Sequence, residues 1–223
     1  MRALVECIRD APASEQETVW LEWRRHLDLT DLSARAVLRT TLSKGILGFA
    51  NREPAEARRF MEGVAYFVVG VEPQNLVGVT PLDSAKLEDQ LARYVGAGPR
   101  WTPTYVELGG VEVLVITDEA PEPGDPLHPA RKTFQPAGGG SAFDAGTLFV
   151  RRGAKTVRAS ADDVHMLVRR AQAFEQGRAL DVAVLLDDSA DGLERFANGE
   201  RLIAEFVERR RQGCSTKFLL GWG

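Results

Sequence analysis

Apolar and polar residues along this chain recur at two periods, and the switches between them mark out its elements. In residues 17–24, Val19, Leu21 and Trp23 alternate with Trp20, Glu22 and Arg24, which is the period-two pattern of a strand with two unlike faces. Glu22 and Arg24 share one face. Glu17 has the parity of the apolar side and is expected in the turn before the strand. Taken alone, this stretch reads as an edge strand with a solvated charged face. Residues 2–9 fit a short helix or strand, ended by Asp10-Ala11-Pro12. From Leu32, the apolar residues Ala36, Val37, Leu42, Ile46, Leu47 and Phe49 return at helical spacing, so a long amphipathic helix is expected to about Asn51. Gly45 and Gly48 near its end allow close approach to a sheet.

Residues 54–62 form a charged segment of helix-forming composition. The apolar run 63–71 predicts a strand buried on both faces, and residues 76–79 predict its hairpin partner across a turn at 72–75. A helix capped by Asp83 follows over 83–95, with Leu87, Leu91 and Val95 on one face. Gly109-Gly110 joins strands at 105–108 and 111–117, the second apolar enough to be central. Residues 118–146 are rich in Pro, Gly and acidic side chains and read as a long irregular loop. A strand through Arg151, a turn at Gly153 and further extended chain lead to Ser160, which caps a last core helix over 159–176. Beyond Gly177, residues 181–188 suggest a strand, 193–211 an amphipathic helix, and 217–223 an apolar end. The expected class is α+β. A central mixed sheet built from hairpins and flanked by helices fills a domain over 1–175. A small α/β appendage over 176–223 is suited to dimerisation or to contact with a partner.

Composition narrows the chemistry. A chain of 223 residues with a net charge of −4 is not a wholly basic nucleic-acid binder. Its arginines nevertheless cluster, as at Arg24–Arg25, Arg151–Arg152 and Arg169–Arg170. The cysteines Cys7 and Cys214 and the histidines His26, His128 and His165 have no zinc-ligand spacing, and a reducing cytoplasm is the expected compartment. The first twelve residues are too polar for a signal peptide, and no apolar run approaches a membrane span. The glycine patch at 138–140 lacks the Lys-Ser/Thr of a phosphate-binding loop. His128 and His165 are expected to be solvated. Trp20 and Trp101 fit packing better than base stacking.

Five pieces in order carry a resemblance: Glu17 to Glu22-Trp23-Arg24; Phe49-Ala50-Asn51; Val69-Gly70-Val71-Glu72; Leu76-Val77-Gly78-Val79; and Phe149-Val150-Arg151-Arg152-Gly153-Ala154-Lys155-Thr156. Over residues 14–175 the chain closely resembles the Schlafen-type AlbA-like domain. That family's signals are Glu-x4-Glu-Phe-Lys, Phe-Ala-Asn, Ile-Gly-Val-Asp, Ile-Val-Gly and Tyr-x-Arg-x-Gly-x-x-Thr. The resemblance implies a metal-dependent endoribonuclease acting on RNA, transfer RNA before DNA, with a toxic or defensive role. Glu17, Glu22 and Glu72 would form a three-carboxylate site for Mg2+ or Mn2+, and Arg24 would stand beside the phosphate in place of the family's lysine. Converging carboxylates repel one another, and a hard divalent cation relieves that repulsion and activates water. Glu72 replaces the family's aspartate, and residues 52–63 replace its short polar link. The alternative is a non-catalytic nucleic-acid-binding or regulatory module. Arg25, Arg151, Arg152, Lys155 and Arg158 are the candidate phosphate contacts, against which stands the reading of ordinary surface charge. For Glu17 and Glu22 to meet, the chain must turn or bulge between them.

Overall fold

A computed structural model of the chain describes residues 1–26, 34–135 and 142–185. Met1–Phe174 form one compact unit. It contains helices α1 (Arg2–Asp10), α2 (Ala34–Ala50), α3 (Pro54–Arg58) and α4 (Ser84–Val95). Its strands are β1 (Leu21–Arg24), β2 (Ala65–Val69), β3 (Val71–Glu72), β4 (Asn75–Leu76), β5 (Trp101–Leu108), β6 (Val111–Asp118), β7 (Phe149–Arg152) and β8 (Lys155–Arg158). The last helix, α5 (Ala161–Leu185), begins in this unit.

The main sheet has the order β1-β2-β6-β5. β1 runs parallel to β2, and the other neighbours are antiparallel. This is the α+β class, with a mixed sheet as the pattern predicts. β6 is central and β1 lies at an edge. Period-two alternation in β2 and β6 sends residues to two cores. Phe67, Val69, Leu114 and Ile116 pack with Leu42, Ile46, Leu47 and Phe49 of α2 and with Leu87 and Leu91 of α4. Val68, Val113 and Val115 pack on the other face with Val5 and Ile8 of α1. The sheet is therefore covered on both sides, and β1 is buried at Leu21 and Glu22 and partly exposed at Trp23 and Arg24. Trp20 packs against both cores and Trp101 against the first, so both tryptophans serve packing.

Two glycines on α2 set the distance between helix and strands. A Cβ on Gly45 would lie 2.4 Å from Cδ2 of Phe67 on β2, and one on Gly48 would lie 2.8 Å from Cγ2 of Thr156 on β8. The helix therefore seats directly on both. Gly45→Ala is expected to destabilise the protein by about 1–3 kcal/mol through overpacking. A urea midpoint equal to that of the unaltered protein would contradict this.

The apolar run 63–71 is not one strand. Gly70 has φ +107° and turns the chain out of β2 into the short β3–β4 hairpin. Its carbonyl accepts from the amides of Val77 and Gly78. Gly109 and Gly110 both have positive φ, 60° and 81°, which is the geometry of the two-residue hairpin turn between β5 and β6. The region 118–146 is irregular as expected in its described parts, with no helix or strand after Asp118, and parts of it pack into the core. Ala130 and Phe143 are core residues, Phe134 and Phe143 exchange backbone hydrogen bonds, and the Arg131 amide donates to Tyr94. Residues 136–141, with the glycine patch, lie outside the described residues.

Helix α5 overruns the expected end at Gly177 and continues to Leu185, where a strand over 181–188 was expected. The remainder of the appendage over 176–223 lies outside the described residues. No helix among the described residues is long and apolar enough to cross a membrane.

Candidate functional site

The stretch before β1 holds a tight turn. The Thr18 amide donates to the Leu21 carbonyl at 2.9 Å, and the Thr18 hydroxyl oxygen accepts from the Leu21 amide at 3.1 Å. This turn folds Glu17 back alongside β1. Its Oε1 accepts from the Trp23 amide at 3.3 Å and from Nη1 of Arg24 at 2.8 Å. The turn demanded by strand parity is therefore present, and it brings Glu17 to the face that carries Glu22.

On that face four charges alternate in a closed ring. Nη1 of Arg24 donates to Glu17 and Nη2 donates to Oε1 of Glu22 at 2.6 Å. Oε2 of Glu22 accepts a short hydrogen bond from Nη1 of Arg151. Nη2 of Arg151 lies 3.7 Å from Oε2 of Glu17 and completes the circuit. Side-chain exposure is 1% for Arg151, 5% for Glu22, 17% for Glu17 and 40% for Arg24, so the ring has an inner and an outer arginine. Burial pushes the Glu22 carboxyl above its ordinary range, opposed by Arg151 and then Arg24. Burial likewise lowers Arg151, opposed by Glu22 and Glu17.

Arg151 has further partners on the chain. Nε and Nη2 donate to the Thr18 carbonyl at 3.1 and 3.0 Å, Nη2 also reaches the Leu21 carbonyl at 3.2 Å, and Nη1 reaches the Thr156 hydroxyl at 3.3 Å. Each guanidinium stands over an aromatic ring, Arg24 at 5.9 Å from the centroid of Phe67 and Arg151 at 5.2 Å from that of Phe49. The five donors of Arg151 are thus engaged inward, and this residue does not line an exposed groove.

Glu72 stands apart from the ring. Its Oε1 accepts from Nδ2 of Asn75 at 2.9 Å and lies 3.7 Å from Nε of Arg25. Among the described residues no group of three or more His, Cys, Asp or Glu is placed to hold a metal. Two of the three expected carboxylates are brought together, with arginines as their counter-ions. As placed, this donor set does not fit Mg2+ or Mn2+, since both oxygens of Glu22 are taken by guanidinium donors.

The other basic candidates are exposed. Arg152 donates to the Ser160 hydroxyl and to Oδ2 of Asp163, within the cap that starts α5. Lys155 projects from β8 beside it in register, and Arg158 donates to the Ala142 carbonyl at 2.5 Å. A fourth cation that the sequence did not single out, Lys44 of α2, lies over the rings of Phe143 and Phe149 at 5.3 and 5.7 Å. Burial, then the nearness of Arg158, lowers its pKa.

A polar brace beneath the site was also missed. Asn51, at the end of α2, donates to the carbonyls of His128 and Phe149, both at 2.9 Å, and accepts from the His128 amide. Arg170 of α5 donates to four carbonyls, those of Ala50, Arg52, Asp125 and Pro126. His128 is 6% exposed, not solvated, and burial, then Arg170, lowers its pKa to about 4. The apolar signal two residues before Arg151, at Phe149, was available. Strand parity places Arg151 on the same face as that core phenylalanine.

No protein-family profile matches the sequence, and no curated protein does. Among solved structures, the DIP2311 protein from Corynebacterium diphtheriae aligns over 77% of this chain at 17% identity with a TM-score of 0.45. This chain spans 33% of that protein's length. The N-terminal domain of a protein related to the ATP-dependent DNA helicase RecG from Nitrosomonas europaea aligns over 60% of this chain and 83% of its own length, at 17% identity with a TM-score of 0.37.

Proposed function

We propose that this chain is a nucleic-acid-associating module of the Schlafen AlbA-like kind, and that it grips the phosphate backbone through Arg25, Arg152, Lys155 and Arg158. One observation supports the reading: exposed cations on a hairpin of an otherwise acidic protein. The protein is acidic as a whole, yet the β7–β8 hairpin presents Arg152, which pairs with Asp163, and Lys155 on one face and Arg158 on the other, all three exposed, with Lys44 close to Arg158. The nearby carboxylates Glu17 and Glu22 are neutralised by Arg24 and Arg151, so they do not cancel that basic surface. RNA, and transfer RNA first, is the preferred ligand class.

A second reading is favoured by a separate observation, the convergence of Glu17 and Glu22 despite their opposite strand parity. In it the chain is an endoribonuclease whose Glu17, Glu22 and Glu72 hold Mg2+ or Mn2+, with Arg24 beside the phosphate. Such an ion would supply an activated water and charge stabilisation at phosphorus. The chain would first have to withdraw Arg24 from between the two carboxylates and bring Glu72 to them.

The binding reading is tested with fluorescently labelled tRNA and a duplex DNA of similar length across a salt series. Affinity is expected to fall steeply with salt, because phosphate contacts release counterions. A Lys155→Glu, Arg158→Glu variant is expected to bind at least about tenfold more weakly and to reduce the salt slope by about two. No binding at low salt, or binding indifferent to salt, would overturn the proposal.

A further inference from the structure

We infer that the guanidinium of Arg24 occupies the cation place between Glu17 and Glu22, with Arg151 sealing its buried side, so that this carboxylate pair is complete without a divalent metal. The inference rests on the ring's geometry and is independent of whether the protein binds nucleic acid.

Three features of the ring point the same way. The first is charge. Two carboxylates and two guanidinium groups alternate, and their sum is zero. A divalent ion added to this set would leave a surplus of two positive charges in a largely buried place, at a high desolvation cost. The second is geometry. Arg24 meets Glu17 with one terminal nitrogen, at 2.8 Å, and Glu22 with the other, at 2.6 Å. A planar fork can join two separate carboxylates in this way, whereas a lysine supplies one point of charge. The third is the floor of the site. Arg24 and Arg151 lie over the rings of Phe67 and Phe49. An aromatic face suits a flat, weakly hydrated cation. It offers nothing to Mg2+, which demands oxygen ligands in near-octahedral array and gives up water reluctantly.

The two arginines hold different places in this arrangement. Arg151 is buried and tied to the carbonyls of Thr18 and Leu21, and it is a fixed part of the fold. Arg24 is 40% exposed and, besides its carboxylate partners and the Phe67 ring, donates to its neighbour's carbonyl at Trp23. It is the exchangeable cation. Emptying its place leaves Glu17 and Glu22 facing one gap with Arg151 behind them, a net charge of −1.

The test is cation exchange, carried out on the full chain. The unaltered protein is titrated with MnCl2 by calorimetry, and its thermal midpoint is read in Mn2+ and in EDTA. No stoichiometric heat and the same midpoint in both are expected, and this arm needs no variant. Arg24→Ala is expected to lower the midpoint by several degrees in EDTA and to regain part of that loss in millimolar Mn2+. Arg24→Ala combined with Glu17→Gln is expected to show no regain. Stoichiometric Mn2+ binding by the unaltered protein would overturn the inference. So would an Arg24→Ala protein as stable as the original, or one that Mn2+ fails to stabilise. A failure of the tRNA titration would leave all of these readings unchanged.

Discussion

Arg151→Met is expected to destabilise the protein by about 3–5 kcal/mol, the usual cost of removing one partner from a buried ion pair. Methionine keeps an apolar stem over Phe49 but leaves Glu22 with Arg24 as its one remaining counter-ion, on the more exposed side. The Thr18 carbonyl loses its donors from Arg151 and the Leu21 carbonyl keeps that of the Thr18 amide alone, so the turn that folds Glu17 back would loosen. Against a total stability of about 5–15 kcal/mol for a domain, this is a large share. Arg151→Lys should recover little, because an ammonium cannot span Glu22, Thr18 and Leu21 together. Urea unfolding followed by the four tryptophans reads the effect directly. A midpoint within experimental scatter of the original would show that the ring contributes nothing to the fold.

Arg170→Met is expected to lower stability by about 2–4 kcal/mol, since hydrogen bonds from a charged donor are among the stronger ones and buried acceptors left unpaired are costly. Arg170 gathers the carbonyls of Ala50 and Arg52 at the end of α2 with those of Asp125 and Pro126 in the loop after β6. Water can reach some of these carbonyls once the side chain is gone, which keeps the expected loss below the sum of separate bonds. The same change should loosen the loop near residues 121–128 and speed its cleavage by a protease under native conditions. Unchanged proteolysis together with an unchanged urea midpoint would remove Arg170 from this bracing role.

Elements with a strong period were legible in the sequence, and the charged site was legible in part. The helix over 83–95 and the Gly109-Gly110 hairpin follow from capping and turn chemistry, which act locally. The close approach of α2 follows from Gly45 and Gly48, because a missing Cβ leaves room for a neighbour. The break at Gly70 was not legible. An apolar run looks the same whether it continues or turns, and the backbone of Gly78 decides the matter from outside the run. The irregular course of the loop after β6 was legible, but its packing was not, because Pro and Gly mark irregular chain without saying that it packs. Residues 125–128 are held by Asn51 and Arg170, which are distant in sequence.

At the site, strand parity required a turn between residues 17 and 22, and Thr18 supplies it. The role of Arg151 was hidden by its neighbour. Arg151-Arg152 reads as a basic pair, yet adjacent strand residues face opposite ways, and one arginine is buried in the ring while the other joins the cap of α5. Resemblance supplied an order of motifs, but it could not say which counter-ion Glu17 and Glu22 have in this chain. That depends on Arg24 being a planar fork that reaches both carboxylates, and on two phenylalanine rings beneath the guanidinium groups.

The central claim is that this protein holds nucleic acid while its paired carboxylates stay locked to arginine. Incubating end-labelled tRNA with the full chain in Mn2+, at a salt concentration where binding is saturated, tests it most directly. The account predicts that the tRNA is bound and recovered at full length, by the original protein and by Glu17→Gln alike. Metal-dependent cleavage by the original protein, absent in Glu17→Gln, would contradict it.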